Sequence, residues 1–281
     1  MLGLLRPLEW FEMMQLADNF LNSNTIPLTI ITVVYNRERT IVSACQSLYQ
    51  QSFTQFEHLV IDGASTDGTV SAIEQCADSR TVLHSEPDQG IYDALNKGLA
   101  RARGDVIGIL HSDDLYYDHQ VLHQVMQCFN NPEIDLVYGD LVYVSASDID
   151  KTRRNWVAGV YQKARLKQGW VPPHPTLFVR RRVLQQIGPY NLAYKISSDF
   201  DHTLRLLLQV APHRVHYLPH TLVKMRMGGV SNGSLAGLLK KAKEDCLIAQ
   251  RNRLSVCAGV DVFVFKVLSK VKQFFIPLLK P

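Results

Sequence analysis

The sequence lacks the features that mark several broad protein classes. It has no uninterrupted run of the roughly 18 apolar residues that a transmembrane helix requires. Its five cysteines are widely scattered and none forms a CxxC pair, which argues against a zinc site and against a disulfide framework. The formal net charge is only +4 and no long basic run occurs, so we do not expect nucleic acid as a partner. The cysteine usage fits a reducing, cytoplasmic compartment best.

What the chain does contain is the composition of an ordinary globular protein. Of its 281 residues, 46% are apolar and 20% are charged, which argues against wholesale disorder. An arginine and a proline stand near the start and acids soon follow, without an evident small-residue cleavage site. We therefore interpret residues 1–26 as a helical extension rather than a signal peptide.

From residue 27 onward, apolar β-branched segments alternate with segments of helical periodicity. The predicted strands are 28–35, 56–62, 80–86 and 105–110, and the predicted helices are 39–51, 69–77 and 90–104, the last ending at Gly104. The first predicted strand, 28–35, is β-branched and nearly all apolar, as expected of a strand that is buried on both faces. This alternation predicts an α/β domain with a parallel sheet covered by helices.

Each predicted strand is followed by polar or aromatic side chains at its carboxyl end. These residues are Tyr35 and Asn36, Asp62, Glu86 and Asp88, and Asp113 and Asp114. In open parallel sheets, ligands bind beyond the carboxyl ends of the strands. We therefore expect four polar clusters to meet at one edge of the sheet and to form a binding site.

The adjacent acids Asp113 and Asp114, in the segment HSDD, repel each other unless something positive lies between them. Carboxylate oxygens bind divalent cations, and a cation can in turn hold a diphosphate and neutralise it as a leaving group. Taken alone, the segment is more typical of a solvated turn or a helix N-cap. The polar clusters at the neighbouring strand ends favour the metal site instead.

Four further residues fit the binding of a nucleotide. The ring of Tyr35 could stack on a base, and the carboxylate of Asp62 could accept a hydrogen bond from a base N–H. Lys97 and Arg101 lie one helical turn apart and could face phosphates. Each also has a purely structural interpretation, since the first two could be ordinary turn residues and the other two a solvated cationic face.

The strand–helix alternation weakens in the second half of the chain. Residues 135–145 and 176–184 look like strands or strand–helix units. Residues 197–210 look like a helix, and Asp199 and Asp201 in its first turn suit the helix dipole.

The C-terminal segment 260–279 carries apolar residues at helical spacing, with lysines on and beside the opposite face. A basic amphipathic helix with exposed phenylalanines can lie in a membrane interface. Packing on its own domain or on a partner explains the same pattern, and the sequence leaves both interpretations open.

Several separate blocks of the sequence carry a family resemblance, in the right order. TIITVVYNRERTI, LVIDGASTDGT, SEPDQGIYDALNKGLARARGDVIGIL followed by HSDD, and SSDFDHTLRL resemble the inverting family 2 glycosyltransferases with the GT-A fold. The match covers about residues 27 to 230. GIYDALNKG, PHPTLFVRR and MGGVS look most like the branch that builds bacterial capsule, colanic-acid-type or O-antigen polysaccharides.

The resemblance implies a role for each candidate residue. Tyr35 would lie beside the base and Asp62 would bond to its uracil-like edge. Asp113 and Asp114 would touch the ribose and a Mg²⁺ or Mn²⁺ that grips the diphosphate of a nucleotide sugar, with Asp114 as the direct metal ligand. Asp199 would be the general base that takes a proton from the acceptor hydroxyl, because a single inverting displacement needs one base.

The sequence departs from the family pattern at two places. His111 stands where many members have an acid, and it is a neutral nitrogen ligand, a ribose contact or a filler. Gly63 and Ala64 replace a second acid and a glycine that are common after the first acid. Two other residues stay open: His174 could touch the acceptor or the diphosphate or simply stiffen its loop, and Asp201 competes with Asp199 as base.

The sequence thus predicts a GT-A domain at residues 27–230, between the extension 1–26 and a helical region 231–281 with the basic tail. We expect it to move a sugar from a UDP-linked donor to a lipid-linked or growing glycan acceptor at the inner face of the plasma membrane. A nucleotidyltransferase is a rival, but it should carry a glycine-rich phosphate loop that VVYNRERT lacks. A non-catalytic partner of a transferase complex is another, but it should have lost the acids.

Overall fold

The computed structural model describes residues 26–228 and 235–254. Residues 1–25 of the predicted N-terminal extension, residues 229–232 of the segment MGGVSN (227–232) and the basic amphipathic tail lie outside the described residues. None of the described helices combines the length and the apolar character that crossing a membrane would require.

The elements of the described residues follow the predicted alternation in the first half of the chain. The strands are β1 (Leu28–Val34), β2 (Phe56–Asp62), β3 (Thr81–Ser85), β4 (Val106–Ile109), β5 (Leu115–Tyr116), β6 (Leu136–Val144), β7 (Thr152–Trp156), β8 (Phe178–Arg180) and β9 (Val215–Arg226). The α-helices are α1 (Glu38–Tyr49), α2 (Thr69–Cys76), α3 (Ile91–Arg101), α4 (Val121–Phe129), α5 (Arg181–Ile187), α6 (Ser198–Gln209) and α7 (Leu235–Arg251). The segment predicted as a strand–helix unit at 176–184 is β8 followed directly by α5.

The chain divides into two compact units, and the first comprises residues up to 126 together with 178–190. Its sheet has the strand order β3-β2-β1-β4-β8. Strands β1 to β4 run parallel and β8 is antiparallel to β4. Every residue of β1, β2 and β4 is buried, as expected of parallel strands covered on both faces, and β1 and β4 accordingly are almost entirely apolar. The parallel sheet predicted from the sequence is confirmed.

The register of the first unit decides which side chains meet at its carboxyl edge. Val34 of β1 lies beside Asp62 of β2, and Asp62 lies beside Ser85 of β3. The loops that follow β1, β2 and β3 therefore start side by side, as expected from the parallel arrangement.

The predicted end of the helix before β4 is wrong. Helix α3 ends at Arg101, not at Gly104, because Ala102 already has extended backbone angles. Gly104 has another purpose: a Cβ there would lie 2.4 Å from the Thr29 nitrogen, so only glycine lets the chain pass so close to β1. The Gly104 N–H donates to the Thr29 hydroxyl at 2.8 Å.

A buried histidine lies in the middle of this sheet. His58 has no exposed surface, and its ring nitrogens lie 2.9 Å from the Tyr49 hydroxyl and 3.0 Å from the Thr32 hydroxyl. The Tyr49 hydroxyl is also 2.8 Å from that of Thr81, so the ring joins a polar network that links α1, β1 and β3. Burial penalises the imidazolium cation and lowers the pKa of His58 to about 3.

This histidine should make the stability of the protein sensitive to acid. As the pH falls from about 6.5 towards about 3, the unfolded chain binds a proton at His58 that the folded chain excludes, so stability is lost. Between about pH 7 and about pH 4.5 the loss is on the order of 2–3 kcal/mol. Urea unfolding at both pH values should show a larger drop for the wild type than for His58→Gln. Equal drops would rule out His58 as the source.

The second unit comprises residues 127–177 and those from 191 onward. Its central strand β6 pairs in parallel with β9 and antiparallel with β7. Strand β9 was not predicted from the sequence. Its residues are mostly half-buried and it contains Pro219, so it has neither a continuous apolar run nor a strict alternation. Helix α6, predicted at 197–210, forms at Ser198–Gln209.

Candidate functional site

Asp62 stands at the end of β2 with no exposed surface. One carboxylate oxygen accepts hydrogen bonds from the Ser65 N–H at 2.9 Å and the Ser85 hydroxyl at 2.7 Å, and the other accepts from the Ser65 hydroxyl. Asp62 therefore shapes the loop after β2 and ties it to the end of β3. A base N–H would share an oxygen that already accepts a hydrogen bond.

The loop after β1 is tied to the same structure. The Asn36 N–H donates to the Ser65 hydroxyl at 2.9 Å, and the Asn36 side-chain oxygen accepts from the Thr66 N–H at 2.9 Å. Asn36 has a φ of 51°, in the left-handed region that asparagine tolerates. Next to it, Tyr35 is 55% exposed, so its ring is available to stack on a planar ligand.

The two residues that depart from the family pattern after Asp62 have distinct structural consequences. A Cβ on Gly63 would lie 2.3 Å from a carboxylate oxygen of Asp88, so glycine allows this acid to approach the backbone. Ala64 has a φ of 60°, a conformation that costs a non-glycine residue roughly 1–2 kcal/mol. Asp88 also accepts a hydrogen bond from the Gly90 N–H at 2.8 Å, at the start of α3.

The paired acids follow β4. The Asp114 N–H donates to the His111 carbonyl at 3.0 Å, which closes a tight turn. Asp114 is buried, with 1% of its surface exposed, whereas Asp113 and His111 are half-buried. The described residues contain no group of three or more His, Cys, Asp or Glu side chains that could hold a metal by themselves. Magnesium is commonly bound by one or two carboxylates together with substrate phosphates, so this donor set fits such an ion.

Lys97 and Arg101 are engaged with Glu86. The Lys97 ammonium donates to the Pro87 carbonyl at 2.7 Å and lies 3.4 Å from Glu86, while Arg101 lies 3.2 Å from the same carboxylate. Lys97 is also 3.7 Å from Asp93, one turn earlier in α3. Both cations therefore hold the β3–α3 loop, and contact with a phosphate would require them to exchange a protein partner for the ligand.

The remaining candidates lie in the second unit. Asp199 is half-buried in the first turn of α6, where its carboxylate accepts from the Phe200 N–H at 2.8 Å. Asp201 is 7% exposed and pairs with Arg205 at 2.9 Å, which commits its carboxylate to a structural contact. His174 is half-buried and begins the short 3₁₀ turn His174–Thr176.

The sequence reasoning missed the two serines that engage Asp62. Ser65 could have been sought, because aspartate side chains in turns often accept hydrogen bonds from backbone N–H groups a few residues further along the chain. Ser85 gave no such signal, since its position beside Asp62 depends on the register of β2 and β3.

Comparison with known proteins identifies the family. The sequence profile described as "Glycosyl transferase family 2" matches residues 29–188, more than half of the chain. The chain belongs to glycosyl transferase family 2. This family 2 glycosyltransferase is 32% identical over 210 residues to a "PGL/p-HBAD biosynthesis glycosyltransferase" of Mycobacterium bovis (strain BCG / Pasteur 1173P2), covering 73% of this chain and 78% of the relative. It is also 24% identical over 194 residues to an uncharacterized glycosyltransferase of Haemophilus influenzae, covering 67% and 65% of the two chains.

Solved structures share the fold. The glycosyltransferase resembles residues 1–349 of Staphylococcus aureus TarS with a TM-score of 0.61 and 17% identity, covering 83% of this chain and 70% of that one. The mannosyltransferase PcManGT of Pyrobaculum calidifontis, solved with GDP-Man and Mn²⁺, gives a TM-score of 0.60 at 18% identity, covering 88% and 71%. TarS has also been solved with UDP-GlcNAc. The predicted GT-A fold is confirmed.

Proposed function

We propose that this family 2 glycosyltransferase transfers a sugar from a UDP-linked donor to a lipid-linked or growing glycan acceptor, with inversion at the anomeric carbon. The observation that carries the proposal is the carboxyl edge of the first unit's sheet. There the exposed ring of Tyr35, the buried carboxylate of Asp62 and the acids after β4 follow parallel strands. Such an edge is where open α/β sheets bind nucleotides.

In this proposal the first unit binds the donor. Tyr35 stacks on the base, and Asp62 accepts a hydrogen bond from it while the two serines hold the carboxylate in place. Asp114 and Asp113 would hold a Mg²⁺ or Mn²⁺ ion, which would neutralise the charge of the departing nucleoside diphosphate. The structural relative solved with GDP-Man and Mn²⁺ supports a divalent cation.

Asp199 is the proposed general base, which removes a proton from the acceptor hydroxyl as its oxygen attacks the anomeric carbon. A single displacement inverts the configuration and needs no covalent intermediate. The pairing of Asp201 with Arg205 supports Asp199 over Asp201 for this role. Asp199 lies beyond residues 29–188, so the profile match does not reach the proposed base.

The donor assignment is tested by a thermal stabilisation screen. We expect a UDP-sugar at about 100 times its Kd, with Mn²⁺, to stabilise the protein by about 2.7 kcal/mol, because ligand binding to the folded state shifts the unfolding equilibrium. For a chain of this size that corresponds to a rise in Tm of roughly 5 °C or more. GDP-mannose serves as the comparison donor and EDTA as the metal control. If no nucleotide sugar stabilises the protein in Mn²⁺ or in Mg²⁺, the proposed function is wrong.

We further propose that the acceptor belongs to a bacterial cell-surface polysaccharide and is met at the inner membrane face. The resemblance to the capsule, colanic-acid and O-antigen branch supports the first part, although the mycobacterial relatives are named for PGL/p-HBAD biosynthesis. The basic amphipathic segment 260–279 supports the second part. Deleting residues 259–281 should reduce cosedimentation with anionic lipid vesicles. Unchanged cosedimentation would leave the segment as a packing element.

A further inference from the structure

A carboxylate from helix α7 binds the backbone immediately before helix α6. Glu244 is 7% exposed, and its two oxygens accept hydrogen bonds from three consecutive N–H groups. The Lys195 N–H lies 3.1 Å from one oxygen, and the N–H groups of Ile196 and Ser197 each lie 2.9 Å from the other. Bonds from backbone N–H groups to an ionised carboxylate are stronger than bonds between neutral groups.

A second residue of α7 reinforces this contact. Lys241, one turn before Glu244, donates from its ammonium to the Ser197 hydroxyl at 3.3 Å and lies 3.8 Å from Asp245. Ser197 is fully buried and directly precedes the first residue of α6. The segment 195–197 is thus fixed through both its backbone and the side chain of Ser197.

The held segment leads directly into the candidate base. Asp199 is the second residue of α6, two positions after Ser197. Its side chain extends from the first helical turn, so the direction in which it points depends on where α6 begins. Removing the acceptor for three adjacent N–H groups, with Ser197 fully buried, would leave donors unsatisfied and favour a rearrangement of this start.

We propose that Glu244 is a positioning residue, which fixes the start of α6 so that Asp199 meets the acceptor hydroxyl in the reactive orientation. This role rests on the proposed function, because it requires Asp199 to be the base. It assigns a part in the reaction to helix α7, which lies outside the residues that the family profile matches. The donor-binding residues proposed above all belong to the first unit, whereas Glu244 and Asp199 belong to the second.

The test is a graded pair of variants in the full chain. Glu244→Ala removes all three hydrogen bonds, whereas Glu244→Gln can keep the two made to a single oxygen. The donor is the UDP-sugar that stabilises the protein most in the thermal screen. With this donor, we expect Glu244→Ala to lower kcat for UDP release by roughly 10- to 100-fold, because small misplacements of a catalytic group have effects of that size. The Kd for UDP with Mn²⁺ should stay within about twofold, and Glu244→Gln should recover much of kcat.

Hydrogen–deuterium exchange reports how firmly the segment 195–197 is held, and it does so independently of enzyme activity. The amides of residues 195–197 should lose protection in Glu244→Ala. The matched control is Asp135→Asn, which removes another buried carboxylate of the second unit, one that pairs with Arg214. The control should lower Tm without changing either kcat or the protection of 195–197.

The outcomes separate this inference from the proposed function. If the wild type releases UDP and Asp199→Asn does not, but Glu244→Ala behaves like the control, the positioning role is wrong and the proposed function stands. Unchanged protection of residues 195–197 in Glu244→Ala overturns the role as well, whatever the activity. If no nucleotide sugar stabilises the wild type in the thermal screen, both the proposed function and this role are wrong.

Discussion

Asp114→Ala is expected to abolish metal-dependent binding of UDP while leaving the fold intact. Asp114 is 1% exposed and follows a strand that is buried along its whole length, so its carboxylate is held in place near the edge of the sheet. A cation held there would neutralise part of the diphosphate charge and so strengthen the binding of UDP. We therefore expect the Kd for UDP in Mn²⁺ to rise by about 100-fold or more, which corresponds to roughly 2.7 kcal/mol.

Titration calorimetry with UDP, in Mn²⁺ and then in EDTA, measures this change. The wild type should bind more tightly in Mn²⁺, and the variant should bind equally weakly in both. Asp114→Asn, which keeps the shape of the side chain, covers the case in which the alanine variant fails to fold. The matched control is Asp105→Asn, an exposed acid that precedes the same strand at its opposite end and pairs with Arg180. A Kd for UDP in Mn²⁺ that is unchanged by Asp114→Ala would exclude Asp114 as the metal ligand.

The first half of the fold could be predicted closely because its strands are buried on both faces. In β1 and β4 each residue is buried and nearly all are apolar, so these strands stand out in the sequence, whereas β2 is equally buried but includes Glu57, His58 and Asp62. The end of α3 was misplaced because Gly104 looks like a helix terminus, whereas its real constraint is the close approach to Thr29. That contact joins residues 75 positions apart and leaves no local pattern.

The candidate site was predicted at the level of single residues but not of their partners. The acids and Tyr35 follow predicted strands, so the parallel arrangement alone indicates that they share an edge. The partners depend on how neighbouring elements are placed in the fold. Ser85 meets Asp62 because β2 and β3 pair, and the turn before α3 brings Glu86 next to both Lys97 and Arg101. A lysine and an arginine one helical turn apart therefore suggested a phosphate contact, although in the structure both engage the carboxylate of Glu86.

The second unit was harder to predict because long-range contacts determine it. Strand β9 pairs with β6 although about 70 residues separate the two, and Arg214 pairs with Asp135 across 79 positions. Its half-buried residues give neither of the two periodicities that identify strands from sequence. The contact of Glu244 with residues 195–197 spans 47 to 49 positions and is equally invisible in the sequence.

Asp199→Asn is expected to keep donor binding and to lose most of the transfer activity. The amide has nearly the same shape as the carboxylate but cannot take a proton at neutral pH, so the acceptor hydroxyl would have to attack without base assistance. General bases contribute typically about 10²- to 10⁴-fold to rate, and we expect kcat to fall within that range while the Kd for UDP with Mn²⁺ is unchanged. UDP release measured at fixed times gives kcat, and calorimetry on the same preparation gives the Kd for UDP with Mn²⁺.

Asp201→Asn is the decisive comparison for this prediction. Asp201 lies in the same first turn of α6 and is more deeply buried, but its carboxylate is paired with Arg205 at 2.9 Å. Its replacement breaks that ion pair and should lower the Tm, while kcat should fall far less than in Asp199→Asn. Near-normal turnover in Asp199→Asn, together with loss of activity in Asp201→Asn, would move the base to Asp201. Because Glu244 fixes the start of the helix that carries both acids, its proposed positioning role would then apply to Asp201 instead.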